Sequence, residues 1–291
     1  MPEISIIILT FNSVKLIKSC LDSISCQDYK DFEIIIVDNG SGDGTVDFIK
    51  EQYPQLILIE NKKNLGAARG RNLGIDIARG RWIFTQDCDV ILEKDLFTQI
   101  TKLTEELPFD IGIIQPKILQ LDKKTIYSCG VYLSRILKRY YDIGRGKIDK
   151  AQFNKKKYVF GACSAAAFYR KNMLEELKED TGYFDERFFF LVEDVDLSWR
   201  AQRRGFKALC YPNAVCYHLG NSSLCGKPLR QYLNWRNRKI LLTKWKFNHF
   251  QSMAVYLMYD FPRLLFLLLN NRYVRKEIKD SKINISSPPS F

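Results

Sequence analysis

The triplet Asp87-Cys88-Asp89 is the first feature of the sequence that could do chemistry. It places two carboxylates on alternate residues of an extended segment. Hard cations such as Mg²⁺ and Mn²⁺ prefer oxygen ligands, usually one or two carboxylates together with substrate phosphates. An acidic turn after a strand has the same composition, so the triplet alone is a weak signal. Its position at the end of a predicted buried strand favours a metal that holds a diphosphate.

A second acidic cluster follows a run of aromatic and apolar residues, 188–192, and contains Glu193, Asp194 and Asp196. Burial beside apolar side chains raises the pKa of a carboxyl group, which suits a general base. Acidic residues also stabilise the first turn of a helix. The two roles are compatible: we expect Asp194 to be catalytic and Asp196 to bond the helix start or Arg200.

His218 is one of only two histidines in the chain, and it ends a short predicted strand beyond the second acidic cluster. A histidine with satisfied hydrogen bonds and no catalytic task is the ordinary interpretation of such a residue. Here the imidazole could instead complete a metal sphere with two carboxylates. His249 has no comparable context, and we assign it no role.

Residues 64–72, Asn-Leu-Gly-Ala-Ala-Arg-Gly-Arg-Asn, open a predicted helix. Small residues let the backbone approach a ligand closely, and the helix-start amides with Arg69 or Arg71 would attract phosphate or ribose oxygens. The segment lacks the Gly-Lys-Ser/Thr of a P-loop and the glycine fingerprint of a dinucleotide-binding fold. ATP hydrolysis and NAD-linked redox chemistry therefore lose their usual support.

The elements that must position these residues alternate between strand and helix. The predicted strands are residues 4–10, 33–37, 56–59 and 81–85, and the predicted helices are residues 14–25, 44–53 and 65–78. This alternation predicts an α/β fold with a mostly parallel sheet and helices on both faces. Ligands bind beyond the carboxyl ends of such strands. Polar residues follow three of them: Thr10-Phe11-Asn12, Asp38-Asn39 and Asp87.

The second half of the chain is less regular. We predict helices at 96–107 and 194–203, strands at 111–114, 206–211 and 214–218, an irregular surface region at 132–157, and helical structure over 229–269. A boundary near Ser223 divides the chain. Residues 1–223 form the catalytic domain, 224–275 a C-terminal helical appendage, and 276–291 a flexible tail.

The balance of charge and apolar sequence bears on partners. The 291 residues carry a formal net charge of +12, which favours phosphorylated substrates or an acidic membrane surface; we expect no nucleic-acid partner. Residues 253–269 are apolar but include Asp260, Pro262 and Arg263, which make a membrane span costly. We expect peripheral membrane contact at most. The eight cysteines fit no zinc pattern and no signal peptide is evident, so we expect reduced thiols and a cytoplasmic location.

In their order and spacing, these motifs resemble those of the inverting glycosyltransferase family 2, which has the GT-A fold. The resemblance covers about residues 4–223, and its most similar branch contains rhamnosyl- and galactofuranosyl-transferases. Cys88 departs from the family pattern, in which another polar or acidic residue is common, but both carboxylates of the triplet remain. The motifs that carry the resemblance are residues 9–12, 37–41, 64–72, 87–89, 193–197 and 211–218.

The resemblance implies a role for each motif. Asp194 would be the catalytic base, with Glu193 shaping the acceptor pocket, and the cofactor would be Mg²⁺ or Mn²⁺ held by Asp87, Asp89 and His218. The donor would be a UDP-, dTDP- or GDP-linked sugar, and the acceptor a hydroxyl of a saccharide or a lipid-linked glycan. The residues that would bind the donor nucleotide are Thr10, Phe11, Asn12, Asp38, Asn39, Asn64, Arg69 and Asp87.

Three other classes of protein remain as alternatives. A polyprenyl-phosphate sugar synthase is the closest, although Glu193, Asp194 and His218 favour a hydroxyl acceptor. A sugar-nucleotidyltransferase would carry a Gly-rich, Lys-containing loop after the first strand, which residues 10–13 do not provide, and it would release pyrophosphate. A non-catalytic scaffold would not need the carboxylates, and metal-dependent hydrolysis of the donor would dismiss it.

Overall fold

The computed structural model describes residues 1–134, 136–220, 226–246 and 253–279. It confirms the predicted α/β class. The strands are β1 Ile4–Thr10, β2 Phe32–Asp38, β3 Ile57–Glu60, β4 Trp82–Asp87, β5 Val90–Leu92, β6 Ile111–Gln120, β7 Ile126–Ser128, β8 Val131–Leu133, β9 Tyr140–Asp142, β10 Lys157–Val159, β11 Ala166–Arg170 and β12 Lys207–His218. The helices are α1 Ile17–Ser25, α2 Thr45–Gln52, α3 Gly66–Ile77, α4 Leu96–Glu106, α5 Lys171–Leu177, α6 Glu193–Arg203, α7 Lys227–Lys244, α8 Phe261–Asn270 and α9 Arg272–Lys279.

One large sheet forms the centre of the molecule, with the strand order β10-β12-β6-β11-β4-β1-β2-β3. Strands β3, β2, β1 and β4 run parallel to one another, and β12 runs parallel to β6. Strand β11 is antiparallel to both β4 and β6. The carboxyl ends of β1, β2 and β4 therefore lie side by side, which brings the predicted polar segments to one edge.

Two cores, one on each face of the sheet, explain why the first strands are continuous apolar runs. In β1, Ile4, Ile6 and Ile8 point into the core covered by α1, α2 and α4. Ile7, between them, points into the core covered by α3, α5 and α6. A strand buried on both faces needs apolar residues at every position, so the prediction of helices on both faces is confirmed.

The second half differs from the sequence prediction in the extent of its strands. The two predicted strands 206–211 and 214–218 are one strand, β12, whose register with β6 shifts between Tyr211 and Val215. Pro116 of β6 and Pro212 of β12 lie at this shift, and proline cannot donate a ladder hydrogen bond. Strand β6 is also longer than the predicted 111–114. The region 132–157, predicted to be irregular, contains the hairpin β8–β9.

The predicted helical stretch 229–269 is divided between α7 and a helix that begins at Met253, passes through a π-helical turn at Tyr256–Asp260 and continues as α8. Residues 247–252 between them, residues 221–225 at the predicted domain boundary, and 280–291 in the predicted tail lie outside the described residues. The division into domains stays a prediction. Met253–Asn270 is long and apolar enough to cross a membrane by length and composition alone, and 11% of it is buried.

Candidate active site

The two carboxylates of the acidic triplet and His218 meet where β4, β5 and β12 come together. Asp87 ends β4, and Asp89 directly precedes β5. Strand β5 pairs antiparallel with β12 so that Val90 lies opposite His218, which brings the imidazole beside Asp89. His218 Nε2 is 3.0 Å from Asp89 Oδ1. One ligand atom from each of the three residues lies within 4.8 Å of the others.

This group of side chains fits a divalent cation. It offers two carboxylate oxygens and one imidazole nitrogen, a donor set that Mn²⁺ accepts. His218 is buried, and its Nδ1 has no hydrogen-bond partner within the part of the chain that the structure describes. The ring of Tyr127 packs edge-on against the imidazole, 4.2 Å between centroids, and fixes its plane. Between the carboxylates, burial raises the pKa of the Cys88 thiol to about 12, so the thiol stays neutral.

Asp194 lies in the first turn of α6 and lines the same cavity as the triplet. Its Oδ2 accepts a hydrogen bond from the Ser164 amide at 3.2 Å, and its Oδ1 accepts one from the Val195 amide at 2.8 Å. Burial is the main reason that the pKa of Asp194 rises to about 7, and the neighbouring charge of Glu193 adds to the rise. Near neutral pH this carboxylate can therefore both accept and release a proton.

Arg71 of α3 joins the two acidic motifs. Its guanidinium donates to Asp87 Oδ1 at 2.9 Å and to Glu193 Oε1 at 2.6 Å, and the side chain is almost fully buried. The paired carboxylates raise the pKa of Arg71 although burial opposes that rise. The sequence motif predicts Arg71 only as one of two residues that would attract phosphate. Because one guanidinium bonds to both carboxylates, it fixes the distance between the acidic triplet and Glu193, the residue before Asp194.

The segment before α6 has an unusual backbone. Phe189, Leu191 and Val192 all have positive φ angles, of 62°, 71° and 78°. Such angles are costly for residues with a β-carbon and persist only where the surroundings hold them. The side-chain amide of Asn237, in α7, supplies that hold: its Nδ2 lies within 2.7–2.9 Å of the carbonyl oxygens of Phe188, Phe190 and Leu191. A helix from the predicted appendage thus supports the segment that leads into α6, where the proposed base Asp194 lies.

The residues predicted to bind the donor nucleotide divide into two groups. Six of them line the cavity: Thr10, Phe11, Asn12, Asn39, Asn64 and Asp87. Asp38 and Arg69 are not among the lining residues. The Asp38 carboxylate accepts hydrogen bonds from the amides of Gly40 and Ser41 and from the Ser41 hydroxyl, so it shapes the loop after β2. Arg69 is half exposed, and its Nη1 lies 3.7 Å from Glu186 Oε2.

The start of α3 differs from the expectation that its amides would attract phosphate. The amides of Ala67 and Ala68 both donate to the carbonyl oxygen of Phe189, at 2.5 and 3.3 Å. Gly66 has a φ of 84°, and a β-carbon there would lie 2.4 Å from the same oxygen. The small residues of this motif therefore serve close packing of α3 against the Phe189 loop, because the first amides are already bonded within the chain.

One cavity of about 670 Å³ connects the donor side, the acidic triplet and Asp194. This volume is in the range of small-molecule sites. Part of its wall comes from Tyr127, Tyr140, Tyr141, Asp142 and Arg145, which sequence analysis left in or near an irregular surface region. The concentration of tyrosines beside charged residues in 140–145 was the available signal, since such residues are common in binding sites.

A second group of close carboxylates consists of Glu179, Asp185 and Asp196. The ammonium of Lys244 reaches all three, at 2.5, 2.9 and 2.8 Å. Burial tends to raise the pKa of Asp185, but the bonds from Arg187 and Lys244 lower it to about 2. Asp196 also accepts from Arg200 at 2.9 Å, which confirms one of its two expected partners. Cations of the chain fill this group, so we assign it to structure.

Known proteins with sequences similar to this chain include glycosyltransferases. Residues 5–178 match the family described as Glycosyl transferase family 2. An uncharacterized glycosyltransferase of Methanocaldococcus jannaschii is 27% identical over 98% of this chain and 97% of its own length. A PGL/p-HBAD biosynthesis glycosyltransferase of Mycobacterium tuberculosis is 35% identical, but the match covers only 38% of this chain and 45% of that protein.

Solved structures with the same fold include two that hold nucleotide-sugars. A mannosyltransferase from Pyrobaculum calidifontis, in complex with GDP-Man and Mn²⁺, superposes with a TM-score of 0.59 over 96% of this chain and 79% of its own, at 17% identity. S. aureus TarS 1-349 in complex with UDP-GlcNAc gives a TM-score of 0.57 over 95% and 76% of the two chains, also at 17% identity. At this identity the likeness establishes the fold alone.

Proposed function

The chain belongs to glycosyl transferase family 2, and we propose that it moves a sugar from a nucleoside diphosphate to a hydroxyl group, with inversion at the anomeric carbon. The acceptor is a saccharide or a lipid-linked glycan. One observation carries the proposal: the carboxylate of Asp194, whose pKa is raised to about 7, lines the same cavity as Asp87, Asp89 and His218. An inverting transfer requires a base and a diphosphate site within one cavity.

Asp87, Asp89 and His218 are the residues that would hold Mg²⁺ or Mn²⁺. When bound, the cation neutralises charge on the diphosphate and so improves it as a leaving group. Arg71 keeps Asp87 oriented at 2.9 Å, and Tyr127 keeps the His218 ring in its plane. Thr10, Asn12, Asn39 and Asn64 line the adjoining part of the cavity, where we place the base and ribose of the donor.

Asp194 performs the proton transfer in this proposal. Its ionised carboxylate removes the proton of the acceptor hydroxyl while that oxygen forms a bond to the anomeric carbon. The bond between that carbon and the diphosphate oxygen breaks, and its electron pair leaves with the nucleoside diphosphate. Attack from the face opposite the leaving group inverts the configuration. Glu193 is held by Arg71 at 2.6 Å, and its charge supports the raised pKa of Asp194.

The donor sugar is the finer part of the proposal. The resemblance favours rhamnosyl or galactofuranosyl transfer, whereas the structural neighbours were solved with GDP-Man and with UDP-GlcNAc, so they do not select a base or a sugar. Calorimetric titration with UDP-, dTDP- and GDP-sugars in the presence of Mn²⁺ measures the preference directly. Comparable affinity for all three nucleotides would contradict a dedicated donor.

The substitution Asp194→Asn tests the base. It keeps the size of the side chain but removes the proton acceptor, so transfer to a hydroxyl acceptor should fall about 10²–10⁴-fold. Nucleotide affinity should stay nearly unchanged, because Asp194 is not among the residues that we assign to the donor nucleotide. A polyprenyl phosphate acceptor is already ionised and needs no base. Undiminished transfer by this variant would therefore favour the synthase alternative over our proposal.

The pH dependence provides a second check of the same residue. Because the ionised form of Asp194 is active, kcat/KM should rise tenfold per pH unit below about pH 7 and level off above it. Asp142 lines the same cavity, and its charge contributes to the raised pKa of Asp194. The variant Asp142→Asn should therefore move this rise to lower pH. If the pH profile of this variant did not shift, the rise of kcat/KM with pH would not be due to the ionisation of Asp194.

Peripheral membrane contact is a further part of the proposal. The exposed apolar side of the helix Met253–Asn270 includes Met253, Leu257, Phe261, Leu265 and Leu269. Other residues of this helix face the protein: Val255 and Leu267 are buried, and Asp260 pairs with the buried Arg238 at 2.6 Å. A spanning helix would have to break this pair, whereas a helix lying in the interface keeps it.

Basic residues beside this apolar side favour an anionic bilayer surface. Helix α9 follows directly and carries Arg272, Arg275, Lys276 and Lys279. The full chain should sediment with vesicles that contain phosphatidylglycerol and less with pure phosphatidylcholine. Leu257→Glu with Leu265→Glu should weaken sedimentation at least tenfold. Equal binding of the variant would contradict the proposal, and concentration-dependent dimerisation lost in the variant would assign the apolar side to a second copy. A cytoplasmic location stays a prediction.

A further inference from the structure

We infer that two exposed tyrosines of the β8–β9 hairpin, Tyr132 and Tyr141, form a platform on which the sugar rings of the acceptor stack. This inference rests on the proposed glycosyl transfer and names the acceptor side of the same site. The two tyrosines lie directly opposite each other in the register of the hairpin. Their ring centroids are 5.0 Å apart with an angle of 38° between the planes, and 44% of Tyr132 and 55% of Tyr141 is exposed.

The opposite face of the hairpin fixes this platform. Val131 is buried in a cluster with Phe188 and Val192, and Leu133 and Tyr140 pack against the same cluster. Arg238 of α7 donates to the carbonyl oxygens of Leu137 and Lys138, at 2.9 and 2.6 Å, and so holds the connection between the two strands. The exposed rings therefore stand on a support anchored to the loop that precedes Asp194.

The platform continues from the reaction cavity to the outside. Tyr141 lines the cavity together with Asp142 and Asp194, whereas Tyr132 is not among the lining residues. A sugar ring on Tyr141 thus lies at the cavity mouth, and the next ring of the same glycan reaches Tyr132. Only an acceptor of two or more rings would use both side chains.

The chemistry of the platform fits a saccharide. An aromatic ring face attracts the C–H face of a sugar, and a phenolic hydroxyl can exchange hydrogen bonds with sugar hydroxyls. Charged residues lie close to the two tyrosines in the chain: Asp142 follows Tyr141 and pairs with Arg145 at 2.8 Å, and Lys138 and Arg139 lie in the connection between the strands. An exposed apolar patch with a polar rim is typical of a binding surface, and this one opens into the cavity that contains the proposed base.

Octyl glycosides test the inference because they are soluble acceptors with one or two sugar rings. Tyr141→Ala should raise the KM for mono- and disaccharide octyl glycosides about fivefold, since stacking on one ring is lost. Tyr132→Ala should raise the KM about threefold for disaccharide glycosides and leave that of monosaccharide glycosides unchanged. Tyr141→Phe should behave as the unaltered protein in stacking.

A matched control and a binding measurement keep the test decisive. Tyr158 of β10 is also a strand tyrosine, is 59% exposed and does not line the cavity, so Tyr158→Ala should change no KM. Saturation-transfer NMR from aromatic protons to the same glycosides reports binding without turnover, and Tyr141→Ala should reduce that transfer. Absence of saturation transfer in the unaltered protein, or equal KM values in all variants, would overturn the inference.

Two further measurements distinguish a saccharide platform from a membrane contact and from an inactive transferase. If the rings contact a membrane, the alanine variants would lose vesicle binding while the KM for soluble glycosides stays constant, which also overturns the inference. Metal-dependent hydrolysis of the donor reports on the proposed function by itself, and its rate in the Tyr158→Ala variant should equal that of the unaltered protein. If the unaltered protein did not hydrolyse the donor, the proposed function would be refuted, while glycoside binding at the platform could still be measured.

Discussion

Two halves of the cavity wall hold their functional side chains in different ways. In the donor half, Thr10 and Asp87 end the neighbouring parallel strands β1 and β4, and the sheet register alone sets them side by side, with Leu9 opposite Asp87. In the acid half, Asp194 follows a non-repetitive segment in which three residues other than glycine have positive φ angles.

The difference shows which side chains of the site can be displaced by a substitution far away in the structure. A residue at a strand end is positioned by a ladder of backbone hydrogen bonds, which one side-chain substitution barely alters. Each strained residue in the acid half costs about 1–3 kcal/mol and persists only because other groups hold it. Asn237, separated by 49 residues from Phe188, is such a group. We therefore expect residues of α7 to govern the acid half and to leave the donor half unaffected.

The substitution Asn237→Leu should have the largest effect on the acid half. It removes the donors to three carbonyl oxygens in a buried site, and each unpaired oxygen costs about 1–3 kcal/mol. The segment before α6 should relax and misplace Asp194, which lowers the kcat of transfer by about 10–100-fold. Steady-state kinetics give the loss in kcat. Calorimetry should show a nucleotide Kd within about twofold of the unaltered protein.

Asn39→Leu is the matched variant in the donor half. Asn39 is also buried, and its side chain donates to the Gly66 carbonyl and accepts from Asn61, both at 3.0 Å. This substitution should raise the nucleotide Kd more than it lowers kcat, because it loosens the loops that line the donor side. If both variants weaken nucleotide binding to the same extent, the two halves are not independent and the comparison is wrong.

The donor half could be predicted from sequence because its signals are local. Continuous apolar runs identify buried parallel strands, and the polar residues that follow them must share one edge. The role of Arg71 could not be predicted, although its motif was recognised. Its partners lie 16 and 122 residues away in sequence, and an arginine in a small-residue helix start suggests phosphate just as well as a carboxylate.

In the acid half, the sequence predicts the acidic residues themselves but not the elements that hold them in place. The acidic cluster and His218 were recognised from residue type, but β8 and β9 have only three residues each, too few for a strand period to show. Asn237 lies in a basic helical stretch with no motif around it. Positive φ angles at Phe189, Leu191 and Val192 cannot be predicted from residue types that avoid them, since tertiary contacts impose them.

The smallest expected effect is on stability. It measures how much the buried carboxylate of Asp194 lowers the free energy of unfolding. The pKa of Asp194 is raised from 3.8 to about 7, so ionisation favours the unfolded chain, increasingly from about pH 4 to pH 7 and constantly above that. Asp194→Asn removes this penalty. The Tm of the variant should match that of the unaltered protein at pH 4 and exceed it at pH 8.

Asp185→Asn is the control of opposite sign for this measurement. The pKa of Asp185 is lowered to about 2, so its charge stabilises the fold above pH 4, and that contribution fades as the pH falls toward 2. The variant should therefore melt below the unaltered protein at pH 8 and approach it in acid. If Asp194→Asn gave no gain at pH 8, the carboxylate would carry no desolvation penalty. The raised pKa on which the general-base role depends would then lose its physical cause.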